Sequence, residues 1–137
     1  EYHRFRFNTD GGLFDRGRKL VGVEKGFAVQ WVQTPVGEIA FLNLHLHPKS
    51  KAVRIAQILE LIEWRIKHSS SPIIITGDFN MLPTSIERVL VMKGLKVEDA
   101  FESFYGNRPT RLCTYCANNR LAWLAEDKVF DYFFYSA

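Results

Sequence analysis

Ile73-Ile74-Ile75-Thr76-Gly77-Asp78-Phe79-Asn80-Met81-Leu82-Pro83 is the stretch on which the reading of this chain turns. Its first four residues form a short, continuous, β-branched run, the composition of a strand buried on both faces. Gly77 then lets the backbone turn sharply and delivers Asp78 and Asn80 to the strand's C-terminal mouth, where open α/β sheets hold their ligands. In strand alternation these two residues project into one crevice. A carboxylate there can bind a hard cation or position water, and a carboxamide can hold a phosphate oxygen. Gly, Asp and Asn are also the commonest turn formers, so the segment taken alone reads equally well as a plain turn. The flanking segments decide between the two.

Upstream, Val53, Ile55, Ala56, Ile58, Leu59, Ile62 and Ile66 recur at helical spacing, with charged residues largely between them, and predict an amphipathic helix over 50–68 that stops at Ser69-Ser70-Ser71-Pro72. Before it, the strand-like runs 27–33 and 38–46 flank Thr34-Pro35-Val36-Gly37, a hairpin signal. In the second run Ile39, Phe41, Asn43 and His45 share one face, and Ala40, Leu42, Leu44 and Leu46 the other. Downstream, Thr84-Ser85-Ile86-Glu87 fits a capping box with Thr84 as N-cap, predicting a helix from about Ser85 to Lys93 that stops at Gly94. Residues 97–104 are ambiguous, 105–127 read as a long loop, and Val129–Tyr135 is a β-prone strand.

The composition, 47% hydrophobic with 14% aromatic over 137 residues, suits one globular domain with an apolar core. A net charge of +3 permits an anionic partner, but 15 acids interspersed among 18 bases create no single-sign field. There is no membrane-length apolar run and no signal-peptide grammar at Glu1-Tyr2-His3-Arg4, so localisation is open. The pair Cys113-Thr114-Tyr115-Cys116 lacks the further ligands a zinc site needs and the βαβ context of a redox motif. It reads as two loop thiols.

Three further residues carry chemistry. His45 ends a strand that can lie beside Asp78, and a histidine there can donate to a phosphate oxygen or shuttle a proton. His47 reads as a core or surface residue. Asp131 sits in an otherwise apolar strand, where an unpaired carboxylate is costly, so a cationic or histidine partner is expected.

Asn43-Leu44-His45-Leu46, Thr76-Gly77-Asp78-Phe79-Asn80 and Val129-Phe130-Asp131-Tyr132, in this order and spacing, resemble three motifs of the endonuclease/exonuclease/phosphatase superfamily. His45-Leu46-His47-Pro48, Asn80-Met81-Leu82-Pro83 and 113–119 are most similar to neutral sphingomyelinases, and the resemblance runs from about Gly22 to Tyr135. It implies an α/β fold, one part of a four-layer sandwich in which two packed mixed β-sheets are flanked by helices. It implies a single in-line attack by water, with Mg²⁺, or Mn²⁺ as substitute, held by Asp78 and Asn80. Asp78 and Asn80 would also orient the water, His45 would bind the scissile phosphate or a second metal ion, and Asp131 would orient a histidine further along. Asn43, Tyr115 and Asn119 are candidate substrate contacts.

The superfamily's early metal-binding glutamate and its terminal Ser-Asp-His motif have no counterpart here, since neither Glu1 nor Glu24 lies in the matching motif. The chain thus reads as a partial domain, expected to turn over weakly or not at all by itself and, with apolar sheet faces uncovered, to self-associate. The favoured substrate is a choline phospholipid, with Trp123 suited to a membrane surface. A nuclease is the enzymatic alternative, for which Arg4, Arg6, Arg16, Arg18, Lys19 and Lys25, or Arg108, Arg111 and Arg120, would form a basic track; ordinary solvated charge is the preferred reading of both clusters. An inactive domain kept as a binding module is the non-enzymatic alternative.

Overall fold

The computed structural model describes residues 2–8, 25–68, 71–107, 112–120 and 126–136. Glu1, Arg16, Arg18, Lys19, Glu24, Arg108, Arg111 and Trp123 lie outside the described residues. Six strands, β1 (Tyr2–Arg6), β2 (Gly26–Thr34), β3 (Gly37–His45), β4 (Ile73–Asp78), β5 (Glu98–Asp99) and β6 (Asp131–Tyr135), form one sheet in the order β1-β2-β3-β4-β6-β5. Only β3 and β4 are parallel, joined through helix α1 (Lys51–His68). Helix α2 (Ile86–Leu95) and the short helix α3 (Ala100–Tyr105) complete the described elements. The chain is therefore α/β with a mixed sheet, as the sequence implies, and the second sheet of a sandwich is not among the described residues.

Strand alternation makes the sheet two-faced. Phe27, Val29, Ala40, Leu42, Leu44, Ile73, Ile75, Tyr132 and Phe134 point to one side and join Ile58, Leu61 and Trp64 of α1 and Val91 and Leu95 of α2 in a single core. Trp64 contacts the rings of Phe5, Phe27 and Trp31, while Phe79 meets Tyr132 and Phe134 edge-on. The opposite side carries Asn43, His45, Asp78 and Asp131, together with the exposed aromatics Phe41 and Phe133. The β2–β3 turn is closed by Thr34, whose hydroxyl donates to Gly37 O at 2.6 Å and accepts from Val36 N at 3.3 Å.

Helix α1 matches the predicted span, and His47 is a buried structural group: its Nδ1 accepts from the backbone N–H groups of Lys49 and Ser50. The expected capping box does not form. Ser85, not Thr84, is the N-cap of α2, its hydroxyl accepting from Arg88 N. Glu87 instead turns inward, 2% exposed, and accepts from Arg54 of α1 at 2.9 Å, because an ion pair between helices satisfies a buried carboxylate better than a local cap. Nor does Gly94 end the helix. Lys96, in the left-handed region at φ 55°, is the C-cap, and a Cβ on Gly94 would stand 2.3 Å from Ile62 Cδ1. That glycine marks the close approach of α2 to α1. Arg88 continues the network, donating to buried Asp99 and to Glu102.

The cysteines are also corrected. Cys113 and Cys116 form a disulfide rather than two free thiols, the turn bringing their Cα atoms to 5.2 Å. Around it Tyr115 and Lys128 pair as a bridge, so part of the long loop is folded back on itself.

Burial pushes the Glu87 carboxyl up, but backbone and Arg54 hydrogen bonds and the charges of Arg54 and Lys51 outweigh it and hold the group below the ordinary glutamate range. A depressed folded-state pKa contributes stability that is complete above the unfolded value of about 4.3 and is lost as pH falls through the folded value. Glu87→Ala, which takes the carboxylate partner from Arg54, is expected to cost about 3 kcal/mol at pH 7. The cost should shrink at low pH; an unchanged denaturant midpoint at pH 7 would refute this role for the pair.

Candidate functional site

The strand register builds the site. Gly26 of β2 stands opposite His45 of β3, His45 opposite Asp78 of β4, and Asp78 opposite Asp131 of β6. Neighbouring strands lie about 4.8 Å apart, so four positions form one row across the open face of the sheet. A second row on the same face runs Ala28, Asn43, Thr76, Phe133. Three residues chosen from separate segments of sequence, His45, Asp78 and Asp131, are thus neighbours at one end of the sheet.

His45 Nε2 lies 3.5 Å from Asp78 Oδ2, with the two side chains 43% and 37% exposed. Asp78 Oδ1 accepts from the backbone N–H of Asn80 at 2.8 Å. Burial raises the Asp78 carboxyl above the usual carboxylate range, against the Asn80 hydrogen bond and the attraction of His45. Asn80 does not continue the strand alternation. It follows the end of β4 with φ 50°, and its carboxamide nitrogen donates to Leu46 O at 3.0 Å. The carbonyl oxygen is the part of this side chain that suits a cation.

Asp131 is exposed, so the burial cost expected for it does not arise, and a histidine does feel it: its charge acts on His45. Its backbone N–H donates to the hydroxyl of Thr114, as does that of Phe130. Asn43 donates to Thr76 Oγ1 at 3.1 Å on the same face as His45. Tyr115 lies within the disulfide-closed turn that Thr114 ties to the start of β6, and Asn119 follows that turn, its backbone N–H donating to Cys116 O at 3.0 Å. The structure therefore unites His45, Asp78, Asn80 and Asp131, sets Asn43 beside them, and leaves Tyr115 and Asn119 peripheral.

Lys25, which the sequence offers only as one cation of a possible basic track, stands against the histidine. Its ammonium lies 2.7 Å from His45 Nε2 and 3.0 Å from Nδ1. The signal was available only as register: Lys25 precedes the glycine that pairs with His45. Burial first, and then the Lys25 charge, hold the imidazole below the ordinary histidine range, against the pull of Asp78 and Asp131. The ring is neutral near pH 7, accepting at one nitrogen and keeping one N–H to donate.

Two carboxylates and an amide oxygen are hard donors of the kind Mg²⁺ or Mn²⁺ takes, and they fit such an ion. Among the described residues no group of three His, Cys, Asp or Glu side chains is placed to hold a metal ion.

With the fold and this row in hand, comparison with known proteins identifies the class. The profile of the endonuclease/exonuclease/phosphatase family matches residues 7–137, and the chain belongs to that family. Solved structures with the same fold include SmcL (TM-score 0.76, 22% identity, 99% of this chain and 49% of that one). Danio rerio TDP2, complexed with a single-stranded DNA product, gives 0.70 at 18% identity, covering 100% and 52%. Sphingomyelinase C from Streptomyces griseocarneus gives 0.67 at 12% identity, covering 99% and 48%. The chain spans about half the length of these proteins. No curated protein sequence matches it significantly.

In metal-free protein the His45 ring is expected to titrate below about 6.5 by NMR, and to move upward in Lys25→Met. Because its folded pKa is lowered, the unfolded chain binds the proton first, and stability should rise with pH across that interval. An unshifted resonance midpoint in both proteins would disprove the contact.

Proposed function

We propose that this chain carries part of the active site of a divalent-metal-dependent phosphodiester hydrolase, with Asp78, Asn80, His45 and Asp131 as its working residues. The observation that carries this reading is the His45–Asp78–Asp131 row at one end of the open sheet face. Asp78, with the carbonyl oxygen of Asn80, would hold Mg²⁺, whose chemistry there is to neutralise charge building on the phosphoryl oxygens. The neutral His45 ring would donate its N–H to a non-bridging oxygen, with burial first and then the Lys25 charge keeping it in that state. Asp78 would also orient the attacking water, and Asp131, its register partner on β6, would share the ion or orient a further base.

A choline phospholipid is the favoured substrate, on the likeness of the His45–Pro48, Asn80–Pro83 and 113–119 segments to neutral sphingomyelinases. Fold likeness to a sphingomyelinase C agrees with this reading. A nuclease is the second reading, favoured by the cationic side chains that the sheet gathers next to His45.

Full-length protein assayed with Mg²⁺ and with EDTA, on sphingomyelin vesicles and on plasmid DNA, tests the proposal. Metal-dependent cleavage of one of the two, reduced on the order of 10²-fold or more in Asp78→Ala, is expected. Release of phosphocholine selects the lipid reading and nicking selects the nuclease. Turnover that survives both EDTA and the substitution would rule out the assigned chemistry.

A further inference from the structure

β6 begins at Asp131, and among the described residues no strand lies along its outer edge there. On that side β5 reaches only Phe134 and Tyr135, through Asp99 and Glu98. The inner edge is held by β4, where Asp131 stands opposite Asp78 and Phe79 N donates to Phe130 O at 2.8 Å. The N–H groups of the two residues that open the strand go instead to one side chain. The Thr114 hydroxyl accepts from Phe130 N at 3.0 Å and from Asp131 N at 3.1 Å, using both its lone pairs. Thr114 is itself held in place. Its backbone N–H and that of Tyr115 donate to Lys128 O at 2.9 Å, and Lys128 N returns a bond to Tyr115 O. The Tyr115 ring packs on Phe130 with centroids 5.9 Å apart, and Cys113 and Cys116 close the turn around Thr114 as a disulfide.

We propose that Thr114 is a positioning residue for Asp131 and that the Cys113–Cys116 disulfide makes this positioning redox-dependent. The inference rests on the hydrolase reading, since it assigns regulation to the same site. Cys113 and Cys116 are half-buried and their neighbours Thr114, Tyr115 and Ala117 are exposed, so a small dithiol can reach the bond. A thiolate of the dithiol attacks one sulfur, the other cysteine sulfur leaves as thiolate, and the dithiol's second thiolate then displaces the first. The protein gains two electrons and two protons as the Cys113 and Cys116 thiols, and the dithiol becomes a cyclic disulfide. The opened turn keeps only its hydrogen bonds to Lys128 and its contact with Phe130. None of Cys113, Thr114, Tyr115 and Cys116 belongs to the buried core, whose nearest members in sequence are Val129 and Tyr132, so opening the bond loosens the clamp without unpacking the sheet. Asp131 then loses its fixed place opposite Asp78.

The test uses full-length protein, metal-free in EDTA, either oxidised or treated with dithiothreitol, with hydrogen exchange followed at single amides by NMR. Reduction should speed exchange at Phe130 and Asp131 about tenfold, while Leu42 and Ile75 in the core strands keep their protection. Oxidised Thr114→Val should show the same acceleration, and Thr114→Ser, which keeps the hydroxyl, should not. Unchanged exchange at Phe130 and Asp131 on reduction, or an equal loss of protection across the core, would overturn the switch, and slow exchange in Thr114→Val would overturn the role of the threonine. With Mg²⁺ and whichever of sphingomyelin or DNA is cleaved, dithiothreitol should lower kcat about fivefold with little change in KM. Cys113→Ser combined with Cys116→Ser should have the lower kcat with or without the reductant. Turnover indifferent to dithiothreitol counts against redox control. Should neither substrate be cleaved, that failure belongs to the hydrolase reading, and the exchange measurement decides the clamp.

Discussion

Everything at the site depends on how closely β3 and β4 approach at their C-terminal ends. Gly77 sits there at φ 136°, and a Cβ on it would lie 2.0 Å from Leu44 O and 2.9 Å from Leu44 N. Only a residue without a side chain allows that contact and that backbone angle together. The parallel pairing then holds His45 level with Asp78, and Leu46 N donates to Asp78 O at 2.9 Å to continue the register past the strands. On the far side Phe79 N donates to Phe130 O, which brings in Asp131. A glycine beside an aspartate is thus a packing requirement before it is a chemical motif.

The electrostatics follow from the same geometry. The pairing of β2, β3 and β4 brings the Lys25 ammonium and the Asp78 carboxylate to the same nitrogen of His45, and burial together with the Lys25 charge holds the ring neutral there. Asp78 is pushed the opposite way by its burial. The pKa values of these adjacent groups are thus shifted in different directions, the histidine down and the carboxyl up. The sheet thereby grades from carboxylates at β4 and β6 to cations at β1, with the histidine at the boundary.

Behind the site, the helices are joined by contacts that local patterns misrepresent. Glu87 has the spacing of a capping residue and Gly94 the appearance of a helix stop, yet the first forms an ion pair with Arg54 and the second admits Ile62. Both are long-range uses of residues whose short-range uses are familiar. The core they complete covers one face of the sheet and leaves the other to the row of His45, Asp78 and Asp131. Cys113 and Cys116 belong to the same lesson, since closure of their turn depends on the fold-back of Tyr115 onto Lys128.

The sequence by itself determined strands β2, β3, β4 and β6 and helix α1 and offered His45, Asp78, Asn80 and Asp131 as candidates, because hydrophobic periodicity and strand alternation are local properties that each segment displays alone; β1 and the two-residue β5 went unread. It placed Asn43 and His45 on one face and Leu42 and Leu44 on the other for the same reason. Tertiary structure alone decided which strands are neighbours, and so which residues share a row. Lys25 shows why: nothing within its own segment distinguishes it from other solvated cations, and its place against His45 comes from pairing between strands roughly twenty residues apart.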